Sequence, residues 1–386
     1  MATIVVFGAT GFTGVRVVDA LRALGVADII LAGRDATKLQ QQSERLGGLP
    51  VRVADARQDG SLDALLAGVH VVVDTVGPFT HYGEPVVRAA LRQRCHFIDT
   101  TGEQAYMRRI LTSYDAEARA LGLAVINAQA FEFALGTSAA SLLVQKNPWI
   151  ESLEVFYQVE NPETSRGTQR SALEIAGAPG VLHKDGELSA IGRWQWPRPP
   201  GPGCSPSSRA VPFPGGEALA LPRQFPQLKD VATYLCAPRQ LALPLSGLWS
   251  LGPALGWFLT TRWSRPLRQH IDRRPAGPEE SGRHPFRVVA HGRGADGTST
   301  LAVTGSDPYR TTGIIAALGA KLLCEAPPLT PGVVSTPEAF GAERFLGMLS
   351  PYGVQLELER GQRLDDTQRA GSARPAAQSF QSTSEG

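Results

Sequence analysis

Cysteine is scarce in this chain: Cys95, Cys204, Cys236 and Cys324 are spread over 386 residues, with no Cys-x-x-Cys pair and no Cys/His cluster. That spacing suits neither a metal site nor a disulfide scaffold, so no metal is expected. Net charge is equally scarce. The 38 basic and 36 acidic residues leave +2, which gives nucleic acid no electrostatic footprint. No signal or transit peptide precedes the first apolar strand, so a cytoplasmic protein is expected, with membrane association as a variant. No Gly-x-Ser-x-Gly elbow and no Ser-His-Asp set is visible, so hydrolase chemistry has no support. Tyr106 is followed four residues on by Ile110 rather than lysine, so it starts no Tyr-x-x-x-Lys pair.

What is present begins at once. Residues 4 to 14 read Ile-Val-Val-Phe-Gly-Ala-Thr-Gly-Phe-Thr-Gly. An apolar strand runs into the turn Gly8-x-x-Gly11-x-x-Gly14, and a helix follows with Val17, Val18, Leu21 and Leu24 on one side. Glycine permits the tight turn, lets a pyrophosphate approach the backbone and leaves room for helix to pack on strand. The helix N-terminus offers unpaired N–H groups and partial positive charge. Gly8, Thr10, Gly11, Phe12, Thr13 and Gly14 are therefore candidate cofactor contacts; a ligand-free strand–helix turn is the bland alternative.

The second strand discriminates between nicotinamide cofactors. Asp28–Ala32 ends in Gly33-Arg34, where an NAD-preferring site carries an acidic residue for the ribose hydroxyls. Gly33 leaves space, Arg34 offers a planar cation suited to a 2′-phosphate, and Lys38 adds charge one turn later. NADP is the expected cofactor, and Asp35 is expected to cap the next helix.

At this length two domains are expected. Residues 1–127 alternate strand and helix, implying a Rossmann-type, doubly wound parallel sheet with ligands beyond the strands' carboxyl ends. The third strand, from Val51, ends at Asp55, either an adenine contact or a helix cap. Residues 128–330 read as a second, α+β domain with a mixed or antiparallel sheet. Within it Phe286–Gly292 and Thr298–Val303 flank a hairpin turn, and the proline-rich Trp196–Pro214 reads as a loop. Residues 367–386, rich in Ser, Gln, Ala and Gly, read as a disordered tail. Gln240 to Thr261 carries no charge, yet Pro244, Gly247, Gly252, Pro253 and Gly256 interrupt it. Buried helices, an apolar flap or membrane-surface contact through 241–261, and a bilayer span are the competing readings; the interruptions weigh most against the span.

Hydride chemistry needs position, exclusion of water and a proton source. After the fourth strand, Val76, Gly77, Pro78 and Phe79 suit a nicotinamide ring, with simple loop geometry as the alternative. His81 and Tyr82 are candidate proton donors, or an ordinary surface pair. After the fifth strand Asp99 is a candidate catalytic group at the cleft. Glu103 is read as structural, in the first turn of a helix capped by Thr100 or Thr101.

The runs VVFGATGFTG, LAGR, DTVGPFTHYGEPVVRAAL and CHFIDTTGE together resemble the saccharopine dehydrogenase-like oxidoreductases, and within them the trans-acting enoyl reductases and saccharopine dehydrogenase-like proteins. The likeness is dense from residue 4 to about 126. Beyond it, Ser165-Arg-Gly-Thr168-x-x-Ser171 resembles a family Ser-x-Gly-Thr segment, making Arg166, Thr168 and Ser171 candidate substrate contacts. Asp307-Pro-Tyr309 and Leu329-Thr-Pro-Gly332-Val333 also resemble family segments. The resemblance implies that residues 331–366 pack back on the nucleotide domain. Where relatives carry Gly-Phe-Asp-Ser-x-Pro, this chain reads Ala130-Phe131-Glu132-Phe133-Ala134, so no substrate contact is carried over from that loop.

The expectation is an NADPH-dependent reductase of a C=C (enoyl-type) or C=N bond in a fairly apolar small molecule. The alternatives are a saccharopine- or amino-acid-type imine reductase and a non-catalytic nucleotide-binding membrane-surface protein. A homodimer is left open.

Overall fold

The computed structural model describes residues 2–160, 162–191, 197–250, 252–277 and 284–359. The expected tail at 367–386 lies outside them. Alternation begins with β1 (Ile4–Phe7), α1 (Phe12–Ala23), β2 (Ile29–Gly33), α2 (Ala36–Arg45), β3 (Val51–Val53) and α3 (Asp59–Leu66). It continues with β4 (Val71–Asp74), α4 (Phe79–Arg92), β5 (His96–Asp99), α5 (Gln104–Leu121), β6 (Ala124–Ile126) and α6 (Phe131–Lys146). β1 and β4 are buried along their whole length, as the inner strands of a parallel sheet covered on both faces must be.

The second region opens with β7 (Ile150–Val159), α7 (Arg166–Gly177), β8 (Val181–Lys184), β9 (Glu187–Ala190), β10 (Ser208–Phe213), α8 (Glu217–Gln224) and β11 (Asp230–Pro238). Three short helices follow: α9 (Arg239–Ser250), α10 (Gly252–Thr260) and α11 (Arg265–Asp272). The chain closes with β12 (Phe286–Gly294), β13 (Gly297–Gly305), α12 (Pro308–Glu325), β14 (Gly332–Val333), α13 (Thr336–Phe340), α14 (Ala342–Leu349) and β15 (Gln355–Glu359).

The first sheet has the order β14-β6-β5-β4-β1-β2-β3, all parallel. Strand order reverses between β1 and β4, so a crevice opens beyond their carboxyl ends. The second sheet runs β15-β13-β12-β7-β11-β8-β9, with β10 paired to β11. It is mixed: β7 is parallel to β11 and antiparallel to β12. One apolar core joins the two sheets, running from Ile4 and Val73 through Phe131 to Val288 and Val303.

Three sequence expectations change. The Trp196–Pro214 stretch is not all loop, because Ser208–Phe213 pairs with Thr233–Pro238. Its strand carries one proline, Pro212, and an edge strand tolerates the missing donor. Cys204 and Cys236 form a disulfide, Cα atoms 5.7 Å apart. Their separation of 32 residues hid a proximity that β10–β11 pairing creates. Residues 332–333 add a strand to the first sheet, yet residues 355–359 return to the second. The α12 helix, which lies in the second half of the chain, packs against α1 over the first sheet.

Candidate functional site

A cavity of about 600 Å³ lies along the carboxyl ends of β1, β2, β3 and β4, facing α7 and α11. The sharp turn at its floor depends on glycine. Gly8 has φ +88°, and a Cβ there would come within 2.5 Å of the Thr75 hydroxyl. A Cβ at Gly14 would meet the Gly8 carbonyl at 2.2 Å. Gly11 N–H donates to that same carbonyl at 2.8 Å, and α1 begins at Phe12 with no side chain capping its first amides. A polyanion is the partner such a bare helix start suits.

Gly8, Thr10, Gly11, Phe12, Thr13, Gly33, Arg34, Lys38, Asp55, Val76, Gly77 and Pro78 all line this cavity, with His81, Tyr82 and Arg166. Gly14 and Phe79 do not. Gly14 sits behind the turn as the close-approach point, and Phe79 is buried against Tyr106, ring centroids 6.0 Å apart. Asp35 caps α2, accepting from Lys38 N–H at 3.1 Å. Lys38 leans on Asp35 at 3.5 Å, whereas the exposed Arg34 has no hydrogen bond or ion pair among the described residues. Asp55 is held by Arg57, whose backbone N–H and Nε both donate at 3.0 Å to Asp55 Oδ1. That fork takes the Asp55 carboxyl down to about 2. Arg57 went unnoticed in the sequence; its only local signal is a cation two residues after an aspartate that can close an Asx turn.

The loop at Gly77–Phe79 is set by a residue far along the chain. Glu103 is buried, and its carboxylate accepts from Phe79 N–H at 2.9 Å, Thr80 N–H at 2.7 Å, the Thr80 hydroxyl at 2.5 Å and the Ser171 hydroxyl at 2.7 Å. It therefore caps α4 across the sheet and ties it to α7. The expected first-turn role is corrected: Glu103 is itself the residue before α5, while Thr101 Oγ1 accepts from Glu103 N–H at 3.0 Å.

Asp99 is not brought to the cavity. It is fully buried, and its carboxylate accepts from Ala128 N–H at 2.8 Å, Thr101 N–H at 3.1 Å and Asn127 Nδ2 at 2.6 Å. Burial pushes it up to about 6 against those bonds. Asp74, its register partner, is pushed well above the ordinary range by burial, with the Asp99 charge adding to it.

His81 Nε2 lies 3.2 Å from Glu174, which Arg268 also meets at 3.2 Å. The hydrogen bond to Glu174 raises the His81 pKa. An NMR titration is expected to place His81 above 6.5, the ordinary value. Glu174→Gln is expected to bring it down; an unmoved midpoint refutes the pairing.

The three candidate substrate contacts separate. Arg166 lines the main cavity but donates to the carbonyls of Asp272 (3.1 Å) and Arg274 (3.4 Å). Thr168 borders a smaller chamber of about 160 Å³ that shares Thr13 as a wall and includes Thr100, Glu132 and Tyr309. Its hydroxyl is 3.0 Å from both Ser165 Oγ and Tyr309 OH. Ser171 is consumed by Glu103. Burial raises the Glu132 carboxyl. Nothing local marked that glutamate as facing a cavity.

A glycine turn, a switch-point crevice and an exposed arginine at the end of β2 define a dinucleotide-binding protein of the Rossmann type. Residues 4–126 match the family model described as the saccharopine dehydrogenase NADP binding domain. A putative trans-acting enoyl reductase of Mycobacterium tuberculosis is 39% identical over 134 residues, 33% of this chain and 32% of that protein. The trans-acting enoyl reductase of Mycobacterium leprae is 37% identical over 134 residues, with the same coverage of 33% and 32%. The matched stretch thus spans about a third of these curated relatives' length. Saccharopine dehydrogenase (L-Glu forming) of Saccharomyces cerevisiae shares the fold, with a TM-score of 0.64 over 93% of this chain and 100% of that one at 15% identity.

Proposed function

We propose that the chain is an NADPH-dependent reductase acting on a C=C or C=N bond in a fairly apolar small molecule. The observation that carries this reading is the Arg34 guanidinium, without hydrogen bond or ion pair among the described residues, on the same cavity as the uncapped start of α1. The residues fit the cofactor: the glycine turn leaves room that a Cβ would fill, and Arg34 with Lys38 supplies charge for a 2′-phosphate. When bound, NADPH supplies hydride. The protein's own part is positional. The amides of Phe12 and Thr13 would hold the pyrophosphate, Glu103 stiffens the Gly77–Phe79 loop, and Glu174 favours the protonated form of His81 at the cavity wall. Tyr82 places a hydroxyl on the main cavity, and Glu132 borders the smaller chamber.

A dicarboxylate amino-acid substrate is the weaker reading. Its recognition needs free cations, and those on the far wall are occupied. Arg170 Nε donates to Asp272 at 2.9 Å, Arg268 meets Glu174, and Arg166 is spent on backbone carbonyls.

The test is nucleotide titration by fluorescence. The protein is expected to prefer NADPH to NADH, and Arg34→Ala to weaken NADPH about 30-fold while moving NADH less than about twofold, the loss of one charge-assisted phosphate contact. Equal losses for both nucleotides reject the Arg34 assignment. No binding of either rejects the reading, and NADPH oxidation with α,β-unsaturated carbonyl compounds set against cyclic imines then separates the two bond types.

A further inference from the structure

We propose that α9, α10 and α11 form a docking surface for an anionic lipid bilayer, on which the protein lies without crossing it. Surface helices ordinarily turn large apolar side chains inward. On α9, Ala242 and Ser246, one turn apart, are buried and Leu245 packs beside Ala242, while Leu241 and Leu243 are 54% and 55% exposed. On the following elements Trp257 and Trp263 are 71% and 69% exposed, and Leu267 is 38% exposed. Five of the nine exposed large hydrophobic residues among the described ones thus fall between 241 and 267. Single apolar residues scattered on a surface need no explanation; such concentration does.

Charge selects the occupant. From Val231 to Pro278 there are six arginines and a single acidic residue, Asp272, which Arg170 engages. Arg239, Arg262, Arg265 and Arg273 are exposed and form no ion pair among the described residues. No charged residue occurs from Gln240 to Thr261, so the arginines bracket the apolar stretch rather than dilute it. Tryptophan with leucine, edged by arginine, matches the apolar boundary and the phosphate layer of an anionic bilayer. A second copy of the chain would bring the same positive charge against itself. Among the described residues no helix is long and apolar enough to cross a membrane, which agrees with lying on the surface.

The surface also backs the cavity. The α10 helix packs on α7 through Gly256 and Gly177, where a Cβ on Gly256 would come within 2.4 Å of the Gly177 carbonyl. The same face of α7, in its earlier turns, lines the nucleotide cavity through Arg166, Gly167, Arg170 and Leu173. The α11 helix borders the cavity itself through Arg268, Ile271 and Asp272, so the proposed surface and the cavity adjoin. The docking proposal goes beyond the redox reading and does not depend on it.

The test is co-sedimentation of the full chain with vesicles of phosphatidylglycerol and phosphatidylcholine in equal parts, beside pure phosphatidylcholine. Binding to the anionic vesicles is expected to be at least about tenfold tighter, and to weaken strongly at about 0.5 M salt. The double variant Trp257→Ala/Trp263→Ala is expected to lose about tenfold or more on the same vesicles, with NADPH titration and thermal unfolding reporting an intact fold. Arg262→Ala/Arg265→Ala is expected to erase the anionic preference. Absence of vesicle binding, equal binding to both vesicles, or full binding by the tryptophan variant overturns the proposal. So does a concentration-dependent dimer that the tryptophan variant abolishes while the wild type leaves vesicles unbound.

Discussion

Glu103→Ala is expected to lower stability by about 4 kcal/mol, because it strands one buried and three half-buried donors at once, each costing roughly 1–3 kcal/mol when left unpaired. The donors are the first two amides of α4 and the hydroxyls of Thr80 and Ser171. The two amides have no carbonyl one turn back, since α4 starts at Phe79 and Pro78 offers them no side-chain acceptor. A carboxylate there also meets the positive end of the helix. The same change frees the Gly77–Phe79 loop from α7, so NADPH binding is expected to weaken about tenfold as an ordered wall is lost. Urea denaturation and nucleotide titration measure the two effects. Ser171→Ala removes one donor and leaves the α4 cap intact, so it is expected to cost only about 1 kcal/mol. A Glu103→Ala protein within about 1 kcal/mol of wild type contradicts the capping role.

The second large effect is a pH dependence written into Glu217. Its side chain is fully buried, with one oxygen on the Tyr157 hydroxyl and the other accepting from Thr233 at 3.0 Å. Tyr157 OH also faces the Glu132 carbonyl. One phenol proton cannot serve both acceptors. With Glu217 protonated, the acid donates to the phenol oxygen and the phenol donates to the carbonyl, so every group is satisfied. Burial is the larger cause and takes the Glu217 carboxyl up to about 7 from 4.5. The folded state therefore binds the proton more tightly than the unfolded chain. Its contribution is complete below pH 4.5 and is lost as pH rises to about 7. Wild type is expected to lose about 3 kcal/mol across that window relative to Glu217→Gln, whose amide does not titrate. Chemical denaturation of both proteins at either end of the window measures the difference, and parallel pH profiles rule out the shift.

The nucleotide end was legible before any fold was known. The Gly8–Gly14 turn, Gly33-Arg34, the Asp35 cap and Gly77-Pro78 each occupy a few consecutive residues, and backbone geometry makes those positions self-announcing. The far side of the cavity was not. Arg166, Thr168 and Ser171 sit close together in sequence, but their side chains go to two carbonyls, to Tyr309 and to Glu103. Asp99 looked available at the end of its strand, and only the folding back of residues 127 and 128 surrounds it.

Local periodicity and glycine spacing were enough to determine a parallel sheet, its glycine turn and an arginine at the end of β2, because helices, strands and tight turns are set by neighbours in the chain. The roles of Glu103, Glu217 and Asp99, the Cys204–Cys236 bond and the outward face of α9 were decided by the tertiary structure alone. Each depends on burial or on a partner many residues away, and the free energy of a charge or a large apolar side chain is set by what surrounds it.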